Sequence, residues 1–118
     1  MGVRVTEQRI AEGPHRIRIE GELDLGTVSF LEAPVTTAID RQSTPILIDL
    51  SECPFIDSSV IAALLRASER LGNDGEGSPP LLAVAAAAQP LQVLRLTAMD
   101  RRIPVYPSLS EAEDALKS

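Results

Sequence analysis

The 118-residue chain has no tryptophan, and its few aromatic residues are two phenylalanines and one tyrosine, so its core must be built from aliphatic side chains. Cys53 is the one cysteine in the sequence, which excludes an internal disulfide and a zinc site made of clustered thiolates. His15 is the one histidine, and it lies in an alternating segment typical of a strand surface. Neither a G-x-S-x-G elbow nor a G-x-x-x-x-G-K phosphate loop is present, so the sequence predicts no catalytic residues.

The chain also lacks an excess of positive charge and any long apolar run. It carries 17 acidic and 11 basic residues, for a net charge of −6, which argues against non-specific binding to nucleic acid. No apolar run approaches the roughly 18 residues of a membrane span, and the first residues do not resemble a signal peptide. We therefore expect one cytoplasmic domain over residues 1–118, with no membrane span, no metal and no cofactor.

The most informative segment runs from residue 46 to residue 72. Residues 46–50 are almost continuously apolar and β-branched, which predicts a strand buried on both faces. Residues 59–71 have apolar positions at helical spacing, and Gly72 is a natural helix stop. Asp57 or Ser58 is the predicted N-cap. Hydroxyls at this position lie where a helix dipole favours an added anion, so Ser58 or Ser59 is a plausible phosphate acceptor.

The remaining elements predict an α/β domain with a small mixed sheet. Strands near residues 3–5 and 15–20 form an antiparallel pair, and a helix within 27–41 has Thr27 or Ser29 as its cap. Pro34 requires that helix to start near Leu31 or to kink. Further along the chain come the following elements: an exposed loop at 73–80, a buried strand at 81–86, a short helix at 91–98, an edge strand at 103–106, and a last helix capped by Ser108 or Ser110.

Three segments together resemble one protein family. Asp57-Ser58-Ser59 after an apolar strand is similar to the phosphorylation motif of STAS domains of the anti-sigma factor antagonist type. Gly21-Glu22-Leu23-Asp24-Leu25 is similar to the run that ends the second strand in that family. The closing segment 93–112 also matches in order and spacing. The resemblance implies a single STAS-like domain with helices packed mainly on one side of the sheet.

The resemblance also implies a function. An unphosphorylated antagonist binds an anti-sigma factor that is a Ser/Thr kinase, which releases a sigma factor, and phosphorylation by that kinase ends the binding until a phosphatase resets it. The implied acceptor is Ser58, with Ser59 as the alternative. The implied partner surface comprises Asp24, Asp57, Ser58, Ser59 and Val60. In this role the protein is a substrate and performs no catalysis itself.

Two other interpretations remain open at this point. Asp57-Ser58-Ser59 could be a structural helix cap in a STAS module that scaffolds a transport or stress-signalling complex without phosphorylation. Val60 favours this alternative, because family members typically have glycine after the two hydroxyls. A small serine hydrolase is a third hypothesis, and the lack of a nucleophile elbow and of a second histidine argues against it.

Overall fold

The computed structural model describes residues 2–9, 13–72 and 80–116, which form a five-stranded sheet flanked by helices. The strands are β1 (Arg4–Arg9), β2 (His15–Glu20), β3 (Ile46–Leu50), β4 (Leu82–Ala86) and β5 (Val105–Tyr106). The helices are α1 (Ser29–Asp40), α2 (Ser58–Leu71), α3 (Ala88–Leu96) and α4 (Leu109–Leu116), with a 3₁₀ turn at Met99–Arg101. Apart from Pro80, the predicted loop at 73–80 lies outside the described residues.

The strands lie side by side in chain order, so the sheet is mixed. β1 pairs antiparallel with β2, and β2, β3, β4 and β5 pair parallel with their neighbours. Parallel neighbours need crossover connections, and α1, α2 and α3 lie in those connections. The carboxyl ends of β2, β3 and β4 therefore meet at one edge of the sheet, where the loops that follow them can form a common site.

The two faces of the sheet are covered unequally. Ile46, Ile48 and Leu50 of β3 belong to the main core, which also includes buried side chains of α1, α2 and α3. Leu47 points to the other face, where a smaller cluster contains Ala112 of α4. All five residues of β3 are buried, as predicted for a central strand. The prediction of a mixed sheet with helices mainly on one side is confirmed.

Helix α2 matches its prediction closely. It begins at Ser58, one residue before the predicted start, and Asp57 is its N-cap. Gly72 ends it in the left-handed conformation, with φ of 61°. Leu64, one of the apolar residues at helical spacing in this segment, is 1% exposed.

Helix α1 lies within the predicted range 27–41, whereas α3 begins earlier than the sequence predicted. α1 starts at Ser29 and includes Pro34, and its N-cap residue Val28 makes no side-chain capping bond, so neither Thr27 nor Ser29 is the cap. The preceding residues already form a helical turn, in which the N–H of Val28 donates to the carbonyl of Asp24 at 2.8 Å. α3 starts at Ala88, three residues before Leu91. Pro90 lies in its first turn, where the missing backbone N–H costs little.

Candidate functional site

Two loops lie side by side at the carboxyl edge of β2 and β3. The first, residues 21–28, follows β2, and the second, residues 51–57, follows β3. Leu23 and Ile56 form a parallel bridge between them, and the N–H of Leu23 donates to the carbonyl of Phe55 at 3.0 Å. The N–H of Gly21 donates to the carbonyl of Glu52 at 3.3 Å. These backbone bonds extend the sheet beyond its regular strands and hold the two loops together.

Gly21 is required where the first loop leaves β2. Its φ is 110°, in the region that side chains with a Cβ rarely adopt. A Cβ at this position would lie 3.0 Å from the carbonyl oxygen of Gly2 and 3.4 Å from the Cα of Val3. The glycine in the Gly21–Leu25 run therefore permits both the turn and the close approach of the chain next to β1.

Helix α3 holds the second loop from the other side, through a contact that the sequence did not indicate. The side-chain amide of Gln89 accepts from the N–H of Ile56 at 3.0 Å and donates to its carbonyl at 3.0 Å. In the same loop the Cys53 thiol is buried and donates to the carbonyl of Phe55 at 3.3 Å, and burial raises the pKa of this thiol. Loop 51–57 is thus fixed on both sides before α2 begins.

Asp57 joins the first loop to the start of α2. Its Oδ1 accepts from the N–H of Ser59 at 2.9 Å and also from the Ser59 hydroxyl. Its Oδ2 accepts from the N–H of Leu25 at 3.1 Å. The Ser59 hydroxyl, followed by backbone N–H groups, holds the pKa of Asp57 below its ordinary value despite some desolvation. Asp57 is therefore a carboxylate at neutral pH and a bridge between two loops.

The two adjacent serines differ in what their hydroxyls do. Ser59 is half-buried, and its hydroxyl donates to Asp57. Ser58 is exposed in the first turn of α2, and its hydroxyl has no hydrogen-bond partner among the described residues. A modifying enzyme can therefore reach the Ser58 hydroxyl without breaking an internal bond.

Asp24 lies in the loop that contacts Asp57, but its carboxylate accepts hydrogen bonds only from residues of its own turn among the described residues. Its Oδ1 accepts from the N–H of Gly26 at 2.9 Å, from the N–H of Thr27 at 3.1 Å, and from the Thr27 hydroxyl at 3.1 Å. The next residue, Leu25, is the one bonded to Asp57. The structure therefore places Asp24 at the same edge of the sheet as Ser58, with Leu25 between it and the start of α2.

Val60 points away from this surface. Its side chain is fully buried in the main core, so it offers no surface to a partner and takes no space around Ser58. Two neighbouring apolar side chains are exposed instead: Leu25 is 80% exposed and Phe55 is 39% exposed. Neither exposure could be predicted from the sequence, because alternation in short loops does not define which side faces solvent.

The acidic residue at the end of β3 has a structural role. Asp49 is fully buried and accepts from the N–H of Ser51 at 3.0 Å and from its hydroxyl at 2.6 Å. The guanidinium of Arg18 lies 3.6 Å from its other oxygen. Within residues 2–9, 13–72 and 80–116, no three His, Cys, Asp or Glu side chains converge as metal ligands. Over the same ranges, every helix is too short or too polar to cross a bilayer.

Comparisons with known proteins find a matching family model and several structures of similar fold. A family model of the STAS domain matches residues 7–112. An anti-sigma factor antagonist from Mycobacterium paratuberculosis has a similar structure, with 24% identity and a TM-score of 0.83 over 99% of this chain and 96% of that chain. The phosphorylated form of the Bacillus cell fate determinant SpoIIAA is 20% identical, with a TM-score of 0.65 over 94% of this chain and 97% of that chain.

An anti-sigma-factor antagonist (STAS) domain protein from Planctomyces limnophilus is also similar, with 24% identity and a TM-score of 0.70 over 94% of this chain and 95% of that chain. The search of curated proteins gave no match. At these identities the solved structures show a shared fold, whereas the family model covers most of the sequence. The resemblance noted in the three sequence segments is thereby confirmed, and the chain belongs to the STAS-domain family.

Proposed function

We propose that this protein is an anti-sigma factor antagonist whose binding is switched by phosphorylation of Ser58. In the unmodified form it binds an anti-sigma factor that is also a Ser/Thr kinase, and this frees a sigma factor. The kinase then phosphorylates Ser58 and ends the interaction, and a phosphatase reverses the modification. The protein acts in the cytoplasm as a binding partner and a substrate, without catalysis of its own.

The observation that carries this proposal is the difference between the two adjacent hydroxyls. Ser58 is exposed and unbonded among the described residues, whereas the hydroxyl of Ser59 donates to Asp57. A kinase that modifies Ser59 must first break that bond. Similar folds support the assignment, because SpoIIAA has been solved in unphosphorylated and phosphorylated forms. Ser58 is therefore the proposed acceptor, and Ser59 is the alternative.

The expected effect of the phosphate is on binding more than on folding. A phosphoserine adds about −1.5 to −2 charges and a bulky group. At the first turn of α2 the helix dipole stabilises that charge within the free protein. A partner pressed against the same surface meets the added bulk, and it meets a second negative group beside the ionised Asp57. The interface therefore loses shape fit and gains repulsion.

The proposed partner surface consists of Leu25, Phe55 and Ser58, with Asp24 and Asp57 beside them. Leu25 and Phe55 are large apolar side chains left exposed on the two joined loops. Exposed apolar residues next to polar groups are typical of protein interfaces. Ser59 contributes through Asp57, and Val60 contributes by anchoring α2 in the core.

The test uses the tagged protein to capture partners from native lysate, with ATP added to one half of each sample. The wild-type protein and Ser58→Ala are expected to retain the same kinase-like partner, and ATP should release only the wild-type protein. Ser58→Asp should bind less well, because one carboxylate partly imitates the phosphate. Ser110→Asp adds the same charge on an exposed position of α4 and is expected to bind like wild type.

Mass spectrometry of the released protein locates the phosphate. Incorporation at Ser59 alone would move the acceptor by one residue. No incorporation at either serine, together with unchanged binding of Ser58→Asp, would refute the switch and support a scaffold STAS module instead.

A further inference from the structure

A third segment reaches the two joined loops, because the chain after β4 also contacts loop 51–57. The chain continues from β4 through Ala87 directly into α3, and Gln89 is the second residue of that helix. The side-chain amide of Gln89 makes two hydrogen bonds with the backbone of Ile56, which lies 33 positions earlier in the chain. The segments that follow β2, β3 and β4 are thereby joined at one residue of the site.

The contact between Gln89 and Ile56 resembles the pairing of a residue with a neighbouring strand. A glutamine amide offers a carbonyl acceptor and N–H donors, as a peptide group does. Gln89 uses both, since it accepts from the N–H of Ile56 and donates to its carbonyl, each at 3.0 Å. On its other side Ile56 forms the parallel bridge with Leu23. The backbone of Ile56 can therefore shift only if the contacts on one side break.

The two residues next to Ile56 belong to the proposed partner surface. Phe55 presents an exposed aromatic ring, and Asp57 caps α2 and accepts from the N–H of Leu25. Because both are covalently joined to Ile56, the position of its backbone sets where the ring and the carboxylate are presented. Gln89 itself is half-buried and carries no charge, so its effect on a partner must pass through these neighbours.

The residue before Gln89 has a backbone conformation that residues with a Cβ adopt only at an energetic cost. Ala88 has φ of 52°, in the left-handed region, and it is exposed. The segments on either side hold it there, since β4 ends two residues before it and Gln89 and the buried Pro90 follow it. Strain of this kind persists where the surrounding structure determines the conformation, and it is concentrated at functional sites. The strained turn lies directly before the residue that fixes Ile56.

We propose that Gln89 is a positioning residue for the recognition of Ser58 by its kinase, an inference that rests on the proposed function. It acts through the backbone of Ile56, which holds Phe55 and Asp57 in the arrangement that the kinase contacts. Without the two bonds the loop is free to move, and a partner must order it on binding, which weakens the complex. The Ser58 hydroxyl is carried by α2, so its reaction within the bound complex should be unaffected.

The test measures phosphate transfer to the purified, tagged protein at several concentrations in native lysate, which supplies the kinase. In this step the γ-phosphoryl group of ATP is transferred to the Ser58 oxygen, and ADP and the hydroxyl proton are released. Gln89→Met keeps the length of the side chain but loses both bonds to Ile56. The apparent KM should rise about fivefold, and the maximal rate should stay within about twofold of wild type.

Gln92→Met is the matched control, because it makes the same change on the same helix. Gln92 is exposed, and its side chain has no hydrogen bond among the described residues. This variant should keep the wild-type KM. Ala33→Gly controls for stability, because glycine weakens α1 at an exposed position. It should also keep the wild-type KM, although its thermal midpoint falls.

Amide hydrogen exchange, followed by NMR, gives a second measurement that needs no kinase. The N–H of Ile56 should exchange about tenfold faster in Gln89→Met than in Gln92→Met, because it has lost its acceptor.

The outcomes separate this inference from the proposed function. If Gln89→Met keeps the wild-type KM, or if the exchange of the Ile56 N–H is unchanged, the role of Gln89 is overturned and the proposed function stands. An equal rise of KM in Ala33→Gly would show a general effect of lost stability and would overturn that role as well. If the wild-type protein takes up no phosphate at Ser58, the proposed function and this inference fail together.

Discussion

Helices α1 and α2 both begin at the carboxyl edge of the sheet, but their first turns are built differently. Asp57 sits directly before α2 and caps it, and the same carboxylate also holds Leu25 in the neighbouring loop. Asp24 stands five residues before α1, and its Oδ1 bonds only within its own turn among the described residues. The comparison shows that one acidic residue fixes a local turn, whereas the other fixes the position of two segments relative to each other.

The helices also differ in how the core holds their first turns. In α2 the fully buried Val60 follows the two serines, so the exposed hydroxyl of Ser58 is presented by a helix that is anchored two residues later. In α1 the third residue, Leu31, is buried, but Pro34 interrupts the hydrogen bonding of the helix. The start of α2 is therefore the more rigid platform, which suits a site that a partner must recognise.

The largest effect is expected from removing the anchor of α2. Val60→Gly empties a fully buried position and adds the conformational cost of glycine in a helix, so it should destabilise the protein by about 2–4 kcal/mol. Ala62→Gly, on the same helix but only half-buried, should cost about 1 kcal/mol. Urea denaturation measures both. Equal losses for the two variants would show that Val60 does not anchor the helix.

The next effect concerns the interruption of α1. Pro34→Ala restores a backbone donor inside the helix, which stabilises the folded protein. The change also removes the restraint that proline places on the unfolded chain, which offsets part of that gain. The net stabilisation should be about 1–2 kcal/mol. Pro90→Ala is the matched change, because Pro90 lies in the first turn of α3 and is buried. Pro90→Ala should give no gain in denaturation experiments. A loss of stability in Pro34→Ala would mean that the proline is accommodated without cost.

A smaller effect should separate the two acidic residues. Asp24→Ala removes the bonds of one turn and should cost about 0.5–1 kcal/mol in urea denaturation. Asp57→Ala should cost more, because it removes the cap of α2 and the bond to Leu25. NMR spectra should show the Leu25 amide shifted in Asp57→Ala. An unmoved Leu25 amide would contradict the bridging role.

The sequence predicted α2 and β3 well because their signals are local. A continuous apolar run, an aspartate before two serines and a glycine at the end are each readable from adjacent residues. The cap of α1 was predicted wrongly because the turn before the helix is stabilised from Asp24, five residues upstream of its start. The interpretation of Val60 as part of the partner surface has no support from its burial.

Other parts of the site depend on contacts between distant segments. The bond between Asp57 and Leu25 joins residues 32 positions apart, and those between Gln89 and Ile56 span 33 positions. Periodicity reports which residues face a core, but not which loops meet at an edge. The exposure of Leu25 follows from the contact between these loops. The apolar part of the candidate surface could therefore be identified only from the structure.

The smallest expected effect tests the difference between Ser58 and Ser59 through Asp57. The Ser59 hydroxyl is the main cause of the lowered pKa of Asp57, so Ser59→Ala should raise that pKa toward its ordinary value. Ser58→Ala should leave the pKa of Asp57 unchanged, because the Ser58 hydroxyl makes no bond to it. Carboxyl-carbon NMR titration of the two variants and the wild type measures the three values.

The same shift predicts the direction of a pH effect on stability. Because the pKa of Asp57 is lower in the folded protein than in the unfolded chain, its contribution is complete above the unfolded pKa. That contribution is lost as pH falls through the folded pKa. Thermal midpoints measured across this acidic range should therefore fall less steeply in Ser59→Ala than in Ser58→Ala, because the folded and unfolded pKa values differ less in Ser59→Ala. If the two variants lose stability in parallel, the hydroxyl of Ser59 does not stabilise the Asp57 carboxylate, and the proposed distinction between the two serines loses its physical basis.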